Sequence, residues 1–350
     1  MKKLGAFVTI ISLLFMYMQI PASATETVNY RTGLIMDSYE EISAHLETTS
    51  TYATLPDSVD NTSKFPAPGD QGQQGSCVGW AVGYAMKSGL ERRKRGWTVS
   101  SDNHKFSPAY IYNKISNGTD GGASVLDALE LMETQGACTW TYFPYNQNNY
   151  TKQPTSLQTA NANLYKVSEY HTILGVQTIK EKIYQNYGVV IGIEVYPDFD
   201  NLTSSNSIYD TTLGTSRGGH AICLIGYDDT KGENGAFKFI NSWGTDWGIN
   251  GYGWIAYETV ADACPTLHLP IGYYAKTTAD TYKMGDPNSD GVISTADVQM
   301  ALKGADDATS LTSAQFVLAD VDGDAVLSQE DATEILRVAA GQATTFSLYT

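Results

Sequence analysis

The chain has 350 residues, of which 42% are hydrophobic and 17% are charged, and its formal net charge is −16. This composition is typical of a globular protein with a sizeable core and excludes a disordered chain. The negative charge argues against nucleic acid or an anionic membrane surface as a partner. Residues 285–350 contain 11 Asp+Glu and 2 Lys+Arg, so the last fifth of the chain is chemically distinct.

The first 24 residues have the pattern of a secretory signal peptide. Lys2 and Lys3 precede an apolar run over residues 4–20, which is followed by Pro-Ala-Ser-Ala ending at Ala24. A basic start, an apolar stretch and a small-residue end predict cleavage after Ala24. The alternative is an uncleaved membrane anchor, since the apolar run is near the length that spans a bilayer. We expect a secreted, extracellular protein with no membrane span after cleavage.

Residues 25–54 form a short polar segment with weak patterning, and residues 55–276 are predicted to form one α+β domain. Three helices are predicted, over residues 77–94, 108–116 and 124–135, and apolar residues keep a helical spacing over 176–187. Four later apolar runs predict strands, at residues 189–196, 220–227, 236–241 and 253–257. Helices first and strands later indicate that the two types are segregated in the domain.

Cys77 stands at the predicted start of the first long helix, in the run DQGQQGSC. A helix N-terminus stabilises a thiolate through its dipole and its free N–H groups. The thiolate also requires an imidazole, and His220 is the histidine that follows two glycines and opens an apolar strand. Cys223 falls inside that strand and is predicted to be a core thiol. Cys138 and Cys264 could form a disulfide, which the sequence leaves open.

Two side chains with amide groups complete a possible catalytic set. Asn241 lies one predicted strand after His220, where its amide could hold the imidazole in one tautomer, and Trp243 could shield that bond from water. Gln71 lies six positions before Cys77, and its side-chain N–H could bind an oxyanion together with the Cys77 backbone N–H.

Together, the motifs QGQQGSC, GGHAICLIGYD and NSWGTDWGINGYGW resemble those of the papain-like cysteine peptidases. The resemblance implies a two-lobed fold, with a helical left lobe and a β-rich right lobe, that hydrolyses protein or peptide substrates without a catalytic cofactor. It assigns Cys77 as the nucleophile, His220 as the base, Asn241 as the orienting amide and Gln71 as the oxyanion donor. His220 follows Cys77 by 143 positions, within the roughly 130–150 usual in the family.

The resemblance has further implications and some departures. Gly121 and Gly122 resemble the paired glycines that bind a substrate backbone, although an ordinary loop is an equal alternative. Gln74 stands where the family often has a cysteine, and Val78 where it often has tryptophan. Residues 25–54 are too few for the long inhibitory prosegment common in the family, so we expect activity without large proteolytic processing. The rival interpretation is a catalytically silent adaptor with the same fold that only binds protein.

The acidic tail contains two calcium-loop patterns that repeat at a period of 34 residues. Each pattern has oxygen ligands at loop positions 1, 3, 5, 9 and 12 and a backbone carbonyl at position 7. The first loop offers Asp286, Asn288, Asp290, Val292, Ser294 and Asp297, and the second offers Asp320, Asp322, Asp324, Val326, Ser328 and Asp331. Position 6 requires a positive φ, where the second loop has Ala325 in place of glycine. A helix is predicted after each loop.

A duplicated loop followed by a helix resembles the type I dockerin, a small all-α module that binds cohesin domains of cellulosome scaffolds. The resemblance covers residues 285–342, after a linker at 277–284 and before a tail at 343–350. It implies two structural calcium ions, a cohesin partner and a place in a cell-surface cellulosome. It also implies that loop positions 10 and 11 help to select the cohesin, here Thr295, Ala296, Gln329 and Glu330. We expect chelation to unfold this module while peptidase activity persists. The alternative is a calcium-stabilised tail without a partner.

Overall fold

The structure is a computed structural model that describes residues 30–47, 54–262, 269–346 and 348. The predicted signal peptide and Cys264 lie outside these residues, whereas Cys138 is a free, buried thiol. In the described ranges, no helix combines the length and the apolar character that a membrane crossing requires.

The helical lobe is built around one long helix. After α1 (Tyr39–Ala44) and β1 (Ser58–Asp60), eight residues, Gly79–Met86, are π-helical and continue directly into α2 (Lys87–Arg95). Such π-helical turns are rare and often occur at functional sites. The lobe is completed by α3 (Pro108–Ile115), α4 (Val125–Thr134) and α5 (Ser156–Asn163). The helices predicted over 77–94, 108–116 and 124–135 are therefore confirmed, although the π-helical geometry was not predicted.

Local capping explains where two of these helices begin. Ser107 precedes α3 and its hydroxyl accepts the Tyr110 N–H at 3.0 Å, with Pro108 at the first helical position. Ser124 caps α4 in the same way by accepting the Asp127 N–H at 3.0 Å. Each serine pairs one of the N–H groups that a helix start leaves without an internal partner.

The second lobe contains an eight-stranded sheet. Its elements are β2 (Glu169–Leu174), α6 (Val176–Tyr184), β3 (Val189–Glu194), α7 (Pro197–Asp200), β4 (Ile208–Tyr209), β5 (Gly219–Asp228), β6 (Ala236–Ile240), β7 (Tyr252–Ala256), α8 (Tyr257–Asp262) and β8 (Ile271–Lys276). The strands follow the order β2-β8-β3-β5-β6-β7-β4, with β1 pairing with β5. The four predicted strands are confirmed as β3, β5, β6 and β7, whereas β2 and β8 were not predicted.

Strand β5 joins the two lobes because both of its faces are buried. Ala221, Cys223 and Ile225 pack into the core shared with the helical lobe. Ile222 and Leu224, which point to the opposite face, pack into the core of the sheet lobe. The continuous apolar run of β5 is what a strand buried on both faces requires.

The C-terminal module contains α9 (Thr295–Asp306), α10 (Ser313–Ala319) and α11 (Gln329–Ala339). Ser294 and Asp297 form a capping box at the start of α9, and Ser328 and Asp331 form the equivalent box at α11. A helix follows each loop, as predicted. Helix α10 also ends directly before the second loop, so that this repeat has a helix on both sides.

Candidate active site

Cys77 lies at the start of the long helix, and its side chain is fully buried. The Trp80 N–H donates to the Ser76 carbonyl (3.1 Å), which begins the helical hydrogen bonding. Burial raises the pKa of the thiol to about 12, while backbone hydrogen bonds to Ala221, Val78 and Gly33 act in the opposite direction. The thiol is therefore protonated in this state, and it lies beside the residue that follows His220 in β5.

His220 lies near the start of β5 and is also fully buried. Its Nε2 is 2.8 Å from Asn241 Oδ1, so Nε2 carries the proton and donates to the amide oxygen. Within the described residues, Nδ1 has no hydrogen-bond partner. Burial lowers the pKa of His220 to about 4; the bond to Asn241 raises this pKa and Arg217 lowers it. The ring is therefore neutral with a free Nδ1, the form in which it can act as a base.

The bond between His220 and Asn241 is fixed by the backbone and covered by aromatic rings. Asn241 Oδ1 also accepts the Ser242 N–H at 2.8 Å, and the Asn241 N–H donates to the Gly251 carbonyl at 3.0 Å. The Trp243 ring lies 4.6 Å from the His220 ring between centroids, at an interplanar angle of 35°. The amide therefore has a set orientation, and the indole is placed where the sequence suggested a shield.

Gln71 is fully buried between the two lobes. Its backbone N–H donates to the Ser242 carbonyl at 2.8 Å, and its side-chain Oε1 accepts the Ser242 hydroxyl at 2.6 Å. These bonds orient Nε2, which donates to the Gln74 carbonyl at 2.8 Å and to the Arg31 carbonyl at 3.0 Å. The amide group expected to bind an oxyanion therefore donates to two backbone carbonyls of the same chain.

Residues 30–37, here called the cleft segment, run across this site. The Tyr30 ring stacks on Trp243 with centroids 4.6 Å apart. The N–H groups of Gly33 and Leu34 donate to the Gly219 carbonyl at 3.1 and 2.9 Å, beside His220. On the other side, the Ala123 N–H donates to the Gly33 carbonyl at 2.9 Å. The cleft segment thus forms backbone ladders with both lobes and covers Cys77 and His220.

The two predicted substrate-binding glycines differ in their relation to the cleft segment. Gly122 has φ +98°, and a Cβ there would collide with the Gly33 carbonyl. Gly121 lies one position before, and a Cβ there would meet only Thr119 Oγ1 at 3.4 Å. Gly122 therefore allows the extended cleft segment to approach, whereas Gly121 makes no such approach, and a role of either glycine in substrate binding stays a prediction. Ala123, which the sequence did not single out, provides the N–H that donates to the Gly33 carbonyl.

The short N-terminal segment crosses the peptidase site in this structure, while the expected activity without large proteolytic processing stays a prediction. A stretch of eight residues is long enough to fill the cleft because it crosses directly rather than folding into a separate domain. Its sequence gave no signal of this, since its position depends on pairing with Ala123 and Gly219, which are distant in the chain.

Several further residues fix the loop that carries Gln71 and Cys77. The carboxylate of Asp120 accepts the Gly75 N–H at 2.8 Å and the Tyr112 hydroxyl at 2.7 Å. The Tyr145 hydroxyl donates to the Gln71 carbonyl at 2.8 Å. Gln74, which stands where the family often has a cysteine, donates to the Gln147 carbonyl at 3.0 Å. No sequence pattern singled out these supporting residues.

The two acidic loops of the C-terminal module have the same backbone geometry. In the first, the Gly291 N–H donates to Asp286 Oδ2 at 2.8 Å, and in the second the Ala325 N–H donates to Asp320 Oδ2 at 3.0 Å. Gly291 has φ +88° and Ala325 has φ +69°, as position 6 requires. Ala325 therefore adopts the left-handed conformation despite its methyl group.

The predicted ligands are distributed as follows. Oxygen atoms of Asp320, Asp322 and Asp324 lie within 4.8 Å of one another. In the first loop, Asn288 Oδ1 accepts the Asp290 N–H at 2.8 Å. Both position-12 carboxylates, Asp297 and Asp331, are buried and accept the N–H of the serine at position 9 at 2.9 Å. The residues predicted to bind cohesin are all exposed, in the first turns of α9 and α11: Thr295, Ala296, Gln329 and Glu330.

Comparison with known proteins finds a family profile described as "Papain family cysteine protease", which matches residues 55–269. An uncharacterized peptidase C1-like protein of Acanthamoeba polyphaga mimivirus is 25% identical over 211 residues, which are 55% of this chain and 65% of that protein. A gut-specific cysteine proteinase of Caenorhabditis elegans is 28% identical over 209 residues, covering 52% of this chain and 61% of the relative. The chain thus spans less than two thirds of the length of these relatives.

Solved structures show the same architecture. The crystal structure of xylellain, a cysteine protease from Xylella fastidiosa, has a TM-score of 0.60 at 25% identity and covers 71% of this chain and 97% of its own. The bromelain protease from Ananas comosus has a TM-score of 0.52 at 17% identity and covers 64% of this chain and all of its own. From the matched profile and the site geometry, the chain belongs to the papain family of cysteine proteases.

Proposed function

We propose that the chain hydrolyses peptide bonds with Cys77 as its nucleophile. The observation that carries this proposal is the convergence of four side chains from three separate stretches: Gln71, Cys77, His220 and Asn241. The free Nδ1 of a neutral His220 lies in the ring whose Nε2 is fixed by Asn241. Unperturbed thiols have a pKa of about 8.5, so an adjacent base is needed at neutral pH.

In the proposed reaction, His220 Nδ1 takes the thiol proton and the Cys77 thiolate attacks the peptide carbonyl carbon. The electron pair of the carbonyl moves to its oxygen, which accepts hydrogen bonds from Gln71 Nε2 and the Cys77 backbone N–H. His220 then gives its proton to the leaving amine as the carbon–nitrogen bond breaks. Water attacks the acyl-enzyme with His220 again as the base, which releases the acid and restores the thiol.

The cleft segment must leave before a substrate can bind, because it occupies the Gln71 donor and the backbone groups of Ala123 and Gly219. We infer that the intact chain is latent. Burial disfavours the charged forms of both Cys77 and His220 in the covered state. Access of water to the open cleft reduces this desolvation, which favours proton transfer from the thiol to the imidazole.

The test is turnover of a peptide library by a chain that begins at Ser38 and so lacks the cleft segment. We expect cleavage in this form, its loss in Cys77→Ala, and a smaller decrease in Asn241→Ala, since that change removes only the orienting group. Cleavage that persists in Cys77→Ala would contradict the assignment. Binding of unfolded protein without cleavage by the Ser38 form would favour the silent adaptor instead.

We also propose that residues 285–342 are a calcium-binding dockerin that docks the peptidase onto a cohesin domain of a scaffold protein. The oxygen-only donors suit calcium, a hard cation. The grouping of Asp320, Asp322 and Asp324 supports the second site. Buried Asp297 Oδ1, which has no hydrogen-bond partner in the described residues, supports the first. A bound calcium ion would neutralise the repulsion among these carboxylates.

The surface of this module supports a docking role. Apolar side chains are exposed at equivalent positions of the two repeats: Val292 (60%) and Val326 (58%), and Leu302 (44%) and Leu336 (46%). The exposed residues at loop positions 10 and 11 lie in the same repeats. The test is binding of the chain to a panel of cohesin domains with calcium and with chelator. Calcium-dependent binding to at least one cohesin is expected, and calcium binding without any cohesin partner would favour a stabilising tail.

Finally, we propose that residues 1–24 are a signal peptide and that the protein acts outside the cell in a surface-bound cellulosome. The basic start, apolar run and small-residue end of this stretch support the proposal. Mass spectrometry of the protein from culture medium should give an N-terminus at Thr25. A full-length chain retained in the membrane fraction would support the uncleaved anchor.

A further inference from the structure

The C-terminal module packs directly on the helical lobe of the peptidase. Phe316, Val321 and Leu348 belong to the same contiguous apolar core as the long helix of that lobe. His104 Nε2 lies 2.6 Å from the Leu348 carbonyl, and the Ser313 hydroxyl of α10 donates to Ser156 of α5 at 3.2 Å. These contacts make the junction a packed interface rather than a free connection.

The preceding linker is also held by the helical lobe. The Arg95 guanidinium donates to both carboxylate oxygens of Asp280 at 2.8 Å, and Lys94 pairs with the same carboxylate at 2.5 Å. Arg95 also donates to the Tyr282 hydroxyl at 2.9 Å. The polar stretch predicted as a linker at 277–284 is therefore fixed to α2 on the way to the first loop.

The second acidic loop lies in the interface. The Tyr142 hydroxyl, from the helical lobe, donates to Asp320 Oδ2. Both groups are buried, since Tyr142 is 6% and Asp320 is 1% exposed. The Asn103 amide donates to the Asp322 carbonyl at 2.8 Å. Two residues of the peptidase lobe therefore hold the residues at positions 1 and 3 of this loop.

The first loop has different surroundings despite its similar sequence. Asp286 accepts the N–H groups of Asp290 (3.2 Å) and Gly291 (2.8 Å), which belong to its own loop. The Lys283 amine donates to the Gly291 carbonyl at 3.1 Å from the adjacent linker. The bonds that hold Asp286 are thus local, whereas those that hold Asp320 come partly from the peptidase lobe.

We propose that the helical lobe completes the second calcium site, with Tyr142 positioning Asp320 and Asn103 holding the loop backbone. This inference rests on the calcium binding proposed above. Tyr142 and the Ala325 N–H engage Asp320 Oδ2, while Oδ1 accepts one N–H, from Gly323 at 2.9 Å, and keeps a lone pair for a cation. Calcium at this loop and the packed junction therefore stabilise each other, whereas calcium at the first loop stabilises the module locally.

The size of the effect follows from the type of bond. A hydrogen bond between a neutral donor and a buried carboxylate is among the stronger ones in proteins. Loss of the Tyr142 hydroxyl frees the buried carboxylate to rotate and leaves it with fewer donors. We expect about a tenfold loss of calcium affinity at the second loop, the scale that such bonds contribute. By reciprocity, calcium should stabilise the peptidase lobe through the same bond.

The experiment uses the full chain with Cys77→Ala, which prevents self-digestion, and silences one loop at a time. Asp290→Ala and Asp324→Ala remove equivalent, exposed ligands from the first and second loops, so each background reports mainly the other loop. In each background, calorimetry measures calcium affinity with and without Tyr142→Phe. The matched control is Tyr227→Phe, which also removes a tyrosine hydroxyl from a buried ring, one bonded to the Pro56 carbonyl at 3.1 Å.

Tyr142→Phe should weaken calcium binding about tenfold in the Asp290→Ala background and leave it unchanged in the Asp324→Ala background. It should also reduce the rise in melting temperature that calcium gives the full chain, and Asn103→Ala should act in the same direction. Tyr227→Phe should leave calcium affinity unchanged in both backgrounds. Equal affinity with and without Tyr142→Phe in a chain that binds calcium overturns the inference alone. A chain that binds no calcium overturns both the inference and the proposed calcium site.

Discussion

We expect a single added methyl group at Gly33 to displace the cleft segment. A Cβ at Gly33 would collide with the Gly75 carbonyl oxygen and would lie 2.6 Å from Gly75 Cα. Real Cβ atoms do not approach so closely, and the obstacle is backbone rather than a flexible side chain. Gly33→Ala should therefore force the segment away from the loop that carries Cys77.

The magnitude follows from the cost of overpacking, which is typically about 1–3 kcal/mol for a methyl in a tightly packed site. If the binding of the cleft segment in the cleft weakens by about 2 kcal/mol, the fraction of molecules with an open cleft rises about 30-fold. The assay is the initial rate of cleavage of a small peptide substrate by the intact chain, compared with the chain that begins at Ser38. The rate of Gly33→Ala should rise toward that of the truncated chain without exceeding it.

Ile35→Ala is the control for this experiment, because the Ile35 side chain is 55% exposed and its loss leaves the backbone ladder intact. Its rate should match that of the unchanged chain. Two results would show that the cleft segment does not block the site: a folded Gly33→Ala chain as slow as the unchanged one, or an unchanged chain already as fast as the truncated form.

Three further predictions concern Gly192, which faces Leu34 of the cleft segment, and the acidic loops. A Cβ at Gly192 would lie 2.6 Å from Leu34 Cδ2, so a larger side chain there should obstruct a substrate side chain that takes the place of Leu34. With paired peptides that carry leucine or alanine at that substrate position, Gly192→Val should lower kcat/KM for the leucine peptide relative to the alanine peptide by at least about tenfold. Ala325→Gly should tighten calcium binding about fivefold in calorimetry, because it relieves about 1 kcal/mol of strain at positive φ. Burial raises the pKa of Asp320 to about 8, above its unfolded value near 4. The folded chain binds the Asp320 proton more tightly than the unfolded chain does, and the resulting stabilisation is complete below about pH 4. It is lost as the pH rises toward 8, so the melting temperature in chelator should fall between about pH 4 and pH 8. A flat profile over that range would contradict the third prediction.

The candidate catalytic set could be proposed from the sequence because its signals are local. Cys77 is marked by the glycines and the glutamine before it, and His220 by the two glycines that open an apolar strand. Each pattern consists of residues that the local backbone conformation requires. The same holds for the acidic loops, where ligand spacing and the turn at Ala325 are properties of twelve consecutive residues.

The parts that sequence did not predict depend on contacts between distant stretches. The cleft segment has no pattern of its own, and its place is set by Ala123 and Gly219. The bond from Tyr142 to Asp320 joins residues 178 positions apart. The C-terminal module also shares an apolar core with the helical lobe, so chelation should lower the stability of the peptidase lobe as well. Strand β8 pairs with β2 across about a hundred residues, and neither strand was predicted.

We expect Cys77 to become an activated nucleophile beside His220 once the cleft segment has left. The most direct measurement is the rate at which iodoacetamide alkylates Cys77 at mildly acidic pH, followed by mass spectrometry, in the intact chain and in the chain that begins at Ser38. We predict stoichiometric alkylation of Cys77 in the truncated chain, slow alkylation in the intact chain, and loss of the fast reaction in truncated His220→Ala. Alkylation of Cys77 that is slow in every form, as for an ordinary thiol, would show that His220 does not activate this thiol.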